Sequence, residues 1–472
     1  MKYNFTADPP GTTFWHAHLH TMTADGLHGP FIVEDRPGSF PFDYDEERVI
    51  LMTDEYGATS WELEDYLASP DANGMPHADP APSAGLLCLY DERNKSSITS
   101  SCSRGSSGQG FNLNFEPGKV YRLRIICGSI IAPFIFSIDQ HELQLVSADL
   151  SILDGTTRVN GIPITVSSVK PFINHWFDAL ESRLANDTMS LSQPRPPSSQ
   201  KNLSGLGQQC SLSVVSSLAL YLCVGPPNNS RPGPPNNATF DPDVRGVLTY
   251  GLNPSEPIPV PQSKTSNVTN PACEDIDHSL LKPHPLSFLQ PHPPSLEQPS
   301  LSLILNYSFP IVDGFVVHTL VNDRLYNVND TAYPTLYAIQ ENPTWTPPAP
   351  EERNLMVIPD LYRGKSVRIV LQSSGGHGVH PFHMHGHGFQ VVASAAGPFD
   401  DAALSLVNSV DLHQVIVRDT VTVPSQGWVV IQSVFLQYCQ ICDACSRVGP
   451  SSTGLPPTIR AFGLCTVTLV SC

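Results

Sequence analysis

Five of the chain's 17 histidines fall in the thirteen-residue stretch Gly375-Gly-His-Gly-Val-His-Pro-Phe-His-Met-His-Gly-His387, and no ordinary folding requirement explains that density. A low-complexity histidine tract belongs in a surface loop or tail without internal order. This stretch is instead bounded by Ser366-Val-Arg-Ile-Val-Leu371 and Gly388-Phe-Gln-Val-Val-Ala393, so it is expected in or beside β-structure. Neutral imidazoles that offer one ring nitrogen are the usual raw material of Zn, Cu and Ni centres. In an extended strand alternate residues share a face, which would aim His383, His385 and His387 the same way, with His380 three residues back across Pro381.

A second cluster near the amino end uses the same device: Gly11-Thr-Thr-Phe-Trp-His-Ala-His-Leu-His20, then Ala24-Asp-Gly-Leu-His-Gly-Pro-Phe-Ile-Val33. His16 and His18 have the i, i+2 relation, and two His-X-His segments facing each other would suit a polynuclear centre. With their flanks, Gly-Thr-Thr-Phe-Trp-His-Ala-His and His-Pro-Phe-His-Met-His-Gly-His-Gly-Phe resemble the second and third copper motifs of the multicopper oxidases, the family of laccases, ascorbate oxidases and ferroxidases. The resemblance implies copper at type 1, type 2 and type 3 sites. It would give His16 and His18 to the paired type 3 coppers, His380 to type 1, His383 to type 2 and His385 to type 3. His20, His28, His377 and His387 are left as neighbours.

The family carries a His-X-His motif before the second and a His-Cys-His near the carboxyl end. Neither is written here: Met1 stands just ahead of Tyr3-Asn-Phe5, and no histidine follows His413. A type 1 site needs the cysteine, because soft thiolate stabilises Cu(I). Asp419-Thr-Val-Thr-Val-Pro-Ser-Gln-Gly-Trp-Val-Val-Ile431 resembles the strand leading to the missing motif. Cys439, Cys442 and Cys445 invite an iron–sulfur reading, but Cys445 is followed by Ser-Arg-Val-Gly-Pro450 and not by the ferredoxin continuation.

Length and composition set the frame for this resemblance. At 472 residues the chain is long enough for two or three domains. Lys and Arg are outnumbered 26 to 44, a formal charge of −18, which argues against nucleic acid or an anionic membrane as partner. The most apolar run, Ser213 to Gly225, is too short to span a bilayer. Eleven cysteines are an odd number for a fully paired secreted protein; five lie after residue 438, and Cys88, Cys102, Cys127 and Cys273 are candidate disulfide partners without a deducible connectivity. Asn-X-Ser/Thr sequons recur from Asn4 to Asn329 and favour secretion, although Met1-Lys-Tyr-Asn-Phe-Thr has no apolar signal region.

The expected fold is all-β: tandem cupredoxin-like Greek-key β-sandwiches, the first truncated and the third incomplete at its carboxyl end. Residues 1–40 read as the remnant of domain one. Domain two is assigned to 41–250 with a disordered insert at about 151–240, because Ser192-Gln-Pro-Arg-Pro-Pro and Gly225-Pro-Pro-Asn-Asn cannot bury a core. A Pro-rich linker follows at 251–300, then domain three at 301–431 and an aberrant tail at 432–472. His141, in the middle domain, reads as structural.

The resemblance implies a secreted oxidoreductase whose partners are a small-molecule reductant, phenol-like or similar, and dioxygen. A ferroxidase is the first alternative; a non-catalytic copper-binding product is the second. The tail bears on that choice. With the codon frame moved by two nucleotides, Thr453 to Leu469 can encode Arg-Phe-X-Ala-Asp-Asn-Pro-Gly-Leu-Trp-Pro-Leu-His-Cys-His-Ile, which resembles the family's fourth motif. Residues 432–452 are then largely translated intron and the tail is out of frame. Genomic sequencing checks this: the codons of Cys465 to Thr468 should re-read as His-Cys-His, and codons that cannot do so end the idea.

Overall fold

Short runs of β-branched and aromatic residues broken by Pro, Gly and Asp favour strands over helices, and strands far outnumber helices among the described elements. A computed structural model describes residues 10–17, 22–67, 69–71, 73–77, 80, 82–90, 100–105, 110–116, 118–130, 132–138, 141–149, 151–164, 177–180, 210–216, 243–250, 275–286, 298–312, 316–317, 320–325, 356–358, 362, 364–374, 379–384, 387–434, 439–442 and 468–471. Among these the α-helices are α1 (Ser60–Leu67) and α2 (Asp401–Ser409), and no helix is long and apolar enough to cross a membrane.

The amino-terminal piece is a hairpin of β1 (Gly11–His16) and β2 (His28–Val33). It docks on the next domain through Phe14, which packs with Val49, Leu51, Cys88 and Ile126. The buried Arg124 also donates to Thr12 Oγ1, while Arg122 pairs with Asp35 at 2.6 Å and lies over the Phe40 ring. These contacts tie both guanidinium groups to the hairpin and the segment after it, so their burial is compensated.

The middle domain contains β3 (Glu46–Glu55), β4 (Ala84–Tyr90), β5 (Ser100–Arg104), β6 (Asn112–Phe115), β7 (Tyr121–Cys127), β8 (Phe134–Ile138), β9 (Leu143–Ala148), β10 (Ser151–Ile152), β11 (Arg158–Val159), β12 (Ile162–Ile164), β13 (Phe177–Leu180), β14 (Cys210–Ser216) and β15 (Asp243–Tyr250). One sheet runs β10-β9-β13-β7-β3-β4-β5 with β11 on β9, the other β12-β8-β14-β15-β6. Ile50, Met52, Leu87 and Ile125 from the first sheet meet Phe134, Phe136, Val244 and Leu248 from the second in one buried core. This is a β-sandwich in which each inward residue adds about 1.5–3 kcal/mol of apolar burial. Cys88 and Cys102, directly opposite on β4 and β5, form a disulfide, whereas Cys127 is free and buried in the core. Cys127 is therefore no disulfide partner; Cys273 lies outside the described residues.

The third domain opens with β16 (Leu301–Ser308) and the short strands β17 (Ile311–Val312), β18 (Val316–Val317), β19 (Leu320–Val321) and β20 (Arg324–Leu325). After β21 (Met356–Ile358) come β22 (Ser366–Ser373), β23 (His380–His383), β24 (Phe389–Ala396), β25 (Val417–Arg418), β26 (Thr420–Val423) and β27 (Gly427–Val434). Its main sheet runs β20-β19-β16-β22-β27-β24-β25, and β23 pairs with β26 beside it. Leu305, Tyr307, Ile369, Phe382, Met384, Val421 and Val429 share its core. In both domains the opening strand pairs in parallel with a later one, β3 with β7 and β16 with β22, which gives the two domains a common plan.

Several details differ from the sequence reading. The run 419–431 is two strands, because Pro424 begins a turn closed by Gly427 N–H to Pro424 C=O at 3.0 Å, with Gln426 at φ +51°. The second of these, β27, continues three residues past 431: Gln432 accepts from Arg368 and Ser433 Oγ donates to Gly388 C=O. Residues 151–164, read as the start of an insert, join the core through Leu153, Ile162 and Ile164. The Pro-rich runs 192–200 and 225–237 lie outside the described residues, and the tail contributes β28 (Cys439–Cys442) and β29 (Thr468–Ser471), which pair with each other.

Part of the span read as linker is strapped to the middle domain. Ile276 and Leu281 bury in its core, His284 N–H donates to Ile152 C=O at 2.8 Å, and Asp154 N–H donates to Lys282 C=O at 2.9 Å. Arg418 of β25 is fully buried against this strap and the middle domain. Its Nε donates to Asp149 at 2.8 Å and its Nη1 to Asp275 at 3.0 Å. Beside it Ser151 Oγ donates to Val417 C=O and accepts from Val417 N–H, and Ile416 enters the middle-domain core.

His278 sits next to this cluster, its Nε2 3.8 Å from Asp275. Burial pulls its pKa down to about 4; Asp275 opposes the shift, Arg418 adds to it, and Asp277 opposes it. A histidine depressed in the folded state stabilises fully above its unfolded value near 6.5, and that contribution fades as pH falls toward 4. Replacing His278 with Gln should flatten the loss of melting temperature between pH 6.5 and 4. Thermal unfolding of both proteins across that range is the check.

Candidate metal centre

His16, His28, His380 and His383 take their positions from the strands they occupy. His16 closes β1 directly opposite His28 at the start of β2. The Nδ1 of His16 lies 3.2 Å from Ala17 C=O and that of His28 lies 3.1 Å from Thr23 C=O. A carbonyl only accepts, so each Nδ1 carries the proton and each Nε2 keeps a lone pair. Burial lowers the pKa of His16 to about 4, opposed by the Ala17 hydrogen bond and helped by His28. Burial also lowers that of His28, opposed by the Thr23 hydrogen bond and the Asp54 charge. Both rings are thus favoured in the neutral form that a metal requires.

Asp54 is itself buried on β3, where it accepts from Ile130 N–H at 2.8 Å, Ala132 N–H at 3.0 Å and Tyr56 OH at 3.0 Å. A Cβ on Gly128 would stand 3.2 Å from His28 Cδ2, so glycine lets β7's end pass close under that ring. Between the strands, Asp25 accepts from Ser60 N–H at 2.7 Å and Ser60 Oγ at 2.6 Å. This carboxylate meets the first turn of α1, where backbone N–H groups favour negative charge.

His380 and His383 are the two ends of β23, opposite Val423 and Thr420 of β26. Being three apart in a strand, they project to opposite faces. His380 is 5% exposed, with the Phe309 ring 4.4 Å and the Tyr307 ring 5.5 Å from its own. His383 is half-buried; its Nδ1 lies 2.7 Å from Asp419 C=O, which also accepts from Met384 N–H at 3.1 Å. The same logic puts the proton on Nδ1 of His383 and the lone pair on Nε2.

The strand ends at His383, and the shared face expected for His383, His385 and His387 runs through His385, which lies outside the described residues. His387 is buried, and His18, His20, His377 and His385 lie outside the described residues. Among the described residues no three His, Cys, Asp or Glu side chains are grouped to hold a metal ion. The sequence reading missed the Asp419 carbonyl and the Arg418 cluster behind it. Their signal was an Arg-Asp pair between β-branched residues, Val417-Arg-Asp-Thr420, since charges inside a strand pattern need partners.

Three family models, each described as multicopper oxidase, match residues 1–38, 46–173 and 326–438. Laccase-2 of Botryotinia fuckeliana is 28% identical over 439 residues, covering 91% of this chain and 62% of the laccase. An L-ascorbate oxidase of Cucumis sativus is 25% identical over 462 residues, covering 92% of this chain and 70% of that enzyme. The chain thus spans less than two thirds of the laccase's length. The crystal structure of Fet3p, a multicopper oxidase that functions in iron import, superposes with a TM-score of 0.59 at 18% identity, covering 92% of this chain and 68% of Fet3p, which is a likeness of fold.

The docking of the hairpin on α1 is open to direct measurement. Asp25→Ala removes both acceptors of Ser60. It should lower the unfolding free energy by about 1 kcal/mol in chemical denaturation.

Proposed function

Because this chain belongs to the multicopper oxidase family, we propose that it is a laccase-like copper oxidoreductase, coupling one-electron oxidation of a phenol-like or similar small reductant to four-electron reduction of dioxygen to water. In this reading His16 and His18 hold type 3 copper, His380 type 1, His383 type 2 and His385 type 3 copper. The observation that carries it is the donor set: His16 and His383 each give Nδ1 to a backbone carbonyl, which puts the ring lone pair on Nε2, the atom a metal takes. Copper bound there supplies single-electron transfer and dioxygen reduction.

The residues divide the work by position. His380 and His383, on opposite faces of one short strand, suit two different centres joined by four residues of covalent chain. Phe309 and Tyr307 exclude water around His380, as an electron-entry site requires. The paired rings of His16 and His28 are biased neutral by burial, so metal binding there releases little proton at pH 7. The disulfide Cys88–Cys102 supports an oxidising, extracellular setting.

One observation favours a second reading, a copper-binding product without turnover. The written sequence has no histidine after His413, and the free cysteine among the described residues, Cys127, is in the middle-domain core. In the laccase-like reading the type 1 thiolate comes from the tail in its shifted frame. Copper(II) titration followed by visible and electron paramagnetic resonance spectra tests both. The chain as written should bind copper through His383, lose that signal in His383→Gln, and lack an intense blue thiolate band. Restoring the shifted frame of the tail should bring the band and dioxygen consumption with a phenol. Copper binding unaffected by His383→Gln would overturn the assignment.

A further inference from the structure

We infer that the ion cluster around Arg418 is a positioning device through which the middle domain and its strap set the ring of His383. Three consecutive residues carry the connection. Val417 exchanges two hydrogen bonds with Ser151 Oγ, at 2.9 and 2.8 Å. Arg418 is held by Asp149 at 2.8 Å and by Asp275 at 3.0 Å. Asp419 offers its carbonyl to His383 Nδ1 at 2.7 Å.

The geometry leaves little freedom between anchor and ring. The guanidinium is planar and buried at 0% exposure, so its two carboxylate partners fix its orientation as well as its place. The buried Arg418 side chain links it to the backbone one residue before the Asp419 carbonyl, and the Val417 hydrogen bonds to Ser151 hold the backbone on the other side. Asp275 adds a second hold: its Oδ2 lies 3.4 Å from the Thr422 N–H in β26, the strand paired with β23 at Pro381↔Thr422. Asp149 sits at φ +49°, a left-handed conformation that Asp tolerates better than most residues, and this turns it out of β9 toward Arg418.

The consequence is a division of labour across a domain boundary. Asp149 and Asp275 act on His383 through the backbone of Arg418 and Asp419: they hold the carbonyl that selects the Nδ1–H tautomer of His383 and so puts the lone pair on Nε2. They are positioning residues. The effect on copper rests on the reading of His383 as a ligand; the effect on the ring does not.

The test uses the full chain, metal-free and labelled with nitrogen-15 in histidine, with His383→Gln to assign the His383 ring signals. In the unaltered chain the ring nitrogens of His383 should report a single Nδ1–H tautomer at pH 7.5. In Asp149→Asn and in Asp275→Asn they should move toward averaged tautomers. His16, held by Ala17 in the hairpin, should not move. Asp275→Asn keeps Asp149 on Arg418 and is the milder change, so it decides the matter should Asp149→Asn fail to fold. Ile125→Val, a core change in the middle domain that removes none of the cluster's hydrogen bonds, controls for general loosening and should leave His383 fixed. A His383 ring that stays fixed in a folded cluster variant, or that moves equally in Ile125→Val, overturns the inference. With copper(II) added, the cluster variants should bind the His383-dependent ion about tenfold or more weakly. Absence of that ion from the unaltered chain would count against the ligand assignment, while the tautomer result still decides the positioning role.

Discussion

Burying the Arg418 guanidinium is the constraint on which the relation between the two larger domains depends. An unpaired buried charge of that kind costs several kcal/mol, so the fold must deliver carboxylates to it from outside its own domain. Asp149 comes from the turn after β9 and Asp275 from the strap, and each is placed by apolar anchors nearby, Leu153 in one case and Ile276 in the other. Burial alone would disfavour the charged guanidinium, but the two carboxylates outweigh it and raise its pKa. The same crowding of acids acts the other way on Asp419, whose carboxyl is pushed well above its usual range by burial and by Asp149. The cluster thus joins three chain segments at one point, and a break at any of them leaves a buried charge exposed to the full desolvation penalty.

The amino-terminal hairpin follows the same rule with different residues. Arg122 and Arg124 sit side by side in β7, the first paired with Asp35 and the second with Glu47 and Thr12. Apolar contact through Phe14 supplies the driving force, and the two arginines supply register, since each has one set of acceptors that fits. His16 and His28 therefore reach the middle domain in a fixed relation to Asp54 and Gly128. His16 and His28 in one cluster and His383 in the other each have a backbone carbonyl at Nδ1, so their tautomers follow from backbone geometry.

The sequence made the strands legible where period and composition agreed. Phe134 to Ile138 is a strand as read, and the runs at 48–54 and 366–371 grow by one to two residues at their ends. Pro424 marked the break in 419–431, but the alternation on either side of it reads as one run until the turn is seen. The strap was illegible for the opposite reason: Ile276 and Leu281 are two apolar residues in a Pro-rich polar stretch, too few to announce burial without the groove they fill.

Histidine spacing carries a chemical signal but no sign of what holds each ring. His-X-His implied a shared face, and what the structure adds at His383, where β23 stops, is a backbone carbonyl at its Nδ1 from 36 residues later in sequence. A backbone acceptor has no side-chain signature, so no pattern of residue types could have named Asp419 for this role. What the sequence did contain was the cost that fixes it in place. An Arg-Asp pair inside a run of Val, Ile and Thr is expensive unless partners arrive from elsewhere, and the partners that arrive belong to another domain. The strand of His380 and His383 is thereby tied to an ionic interaction in another domain, which makes the shared plan of two sandwiches more than a scaffold: contact with the first sandwich bears on the carbonyl that meets His383 in the second.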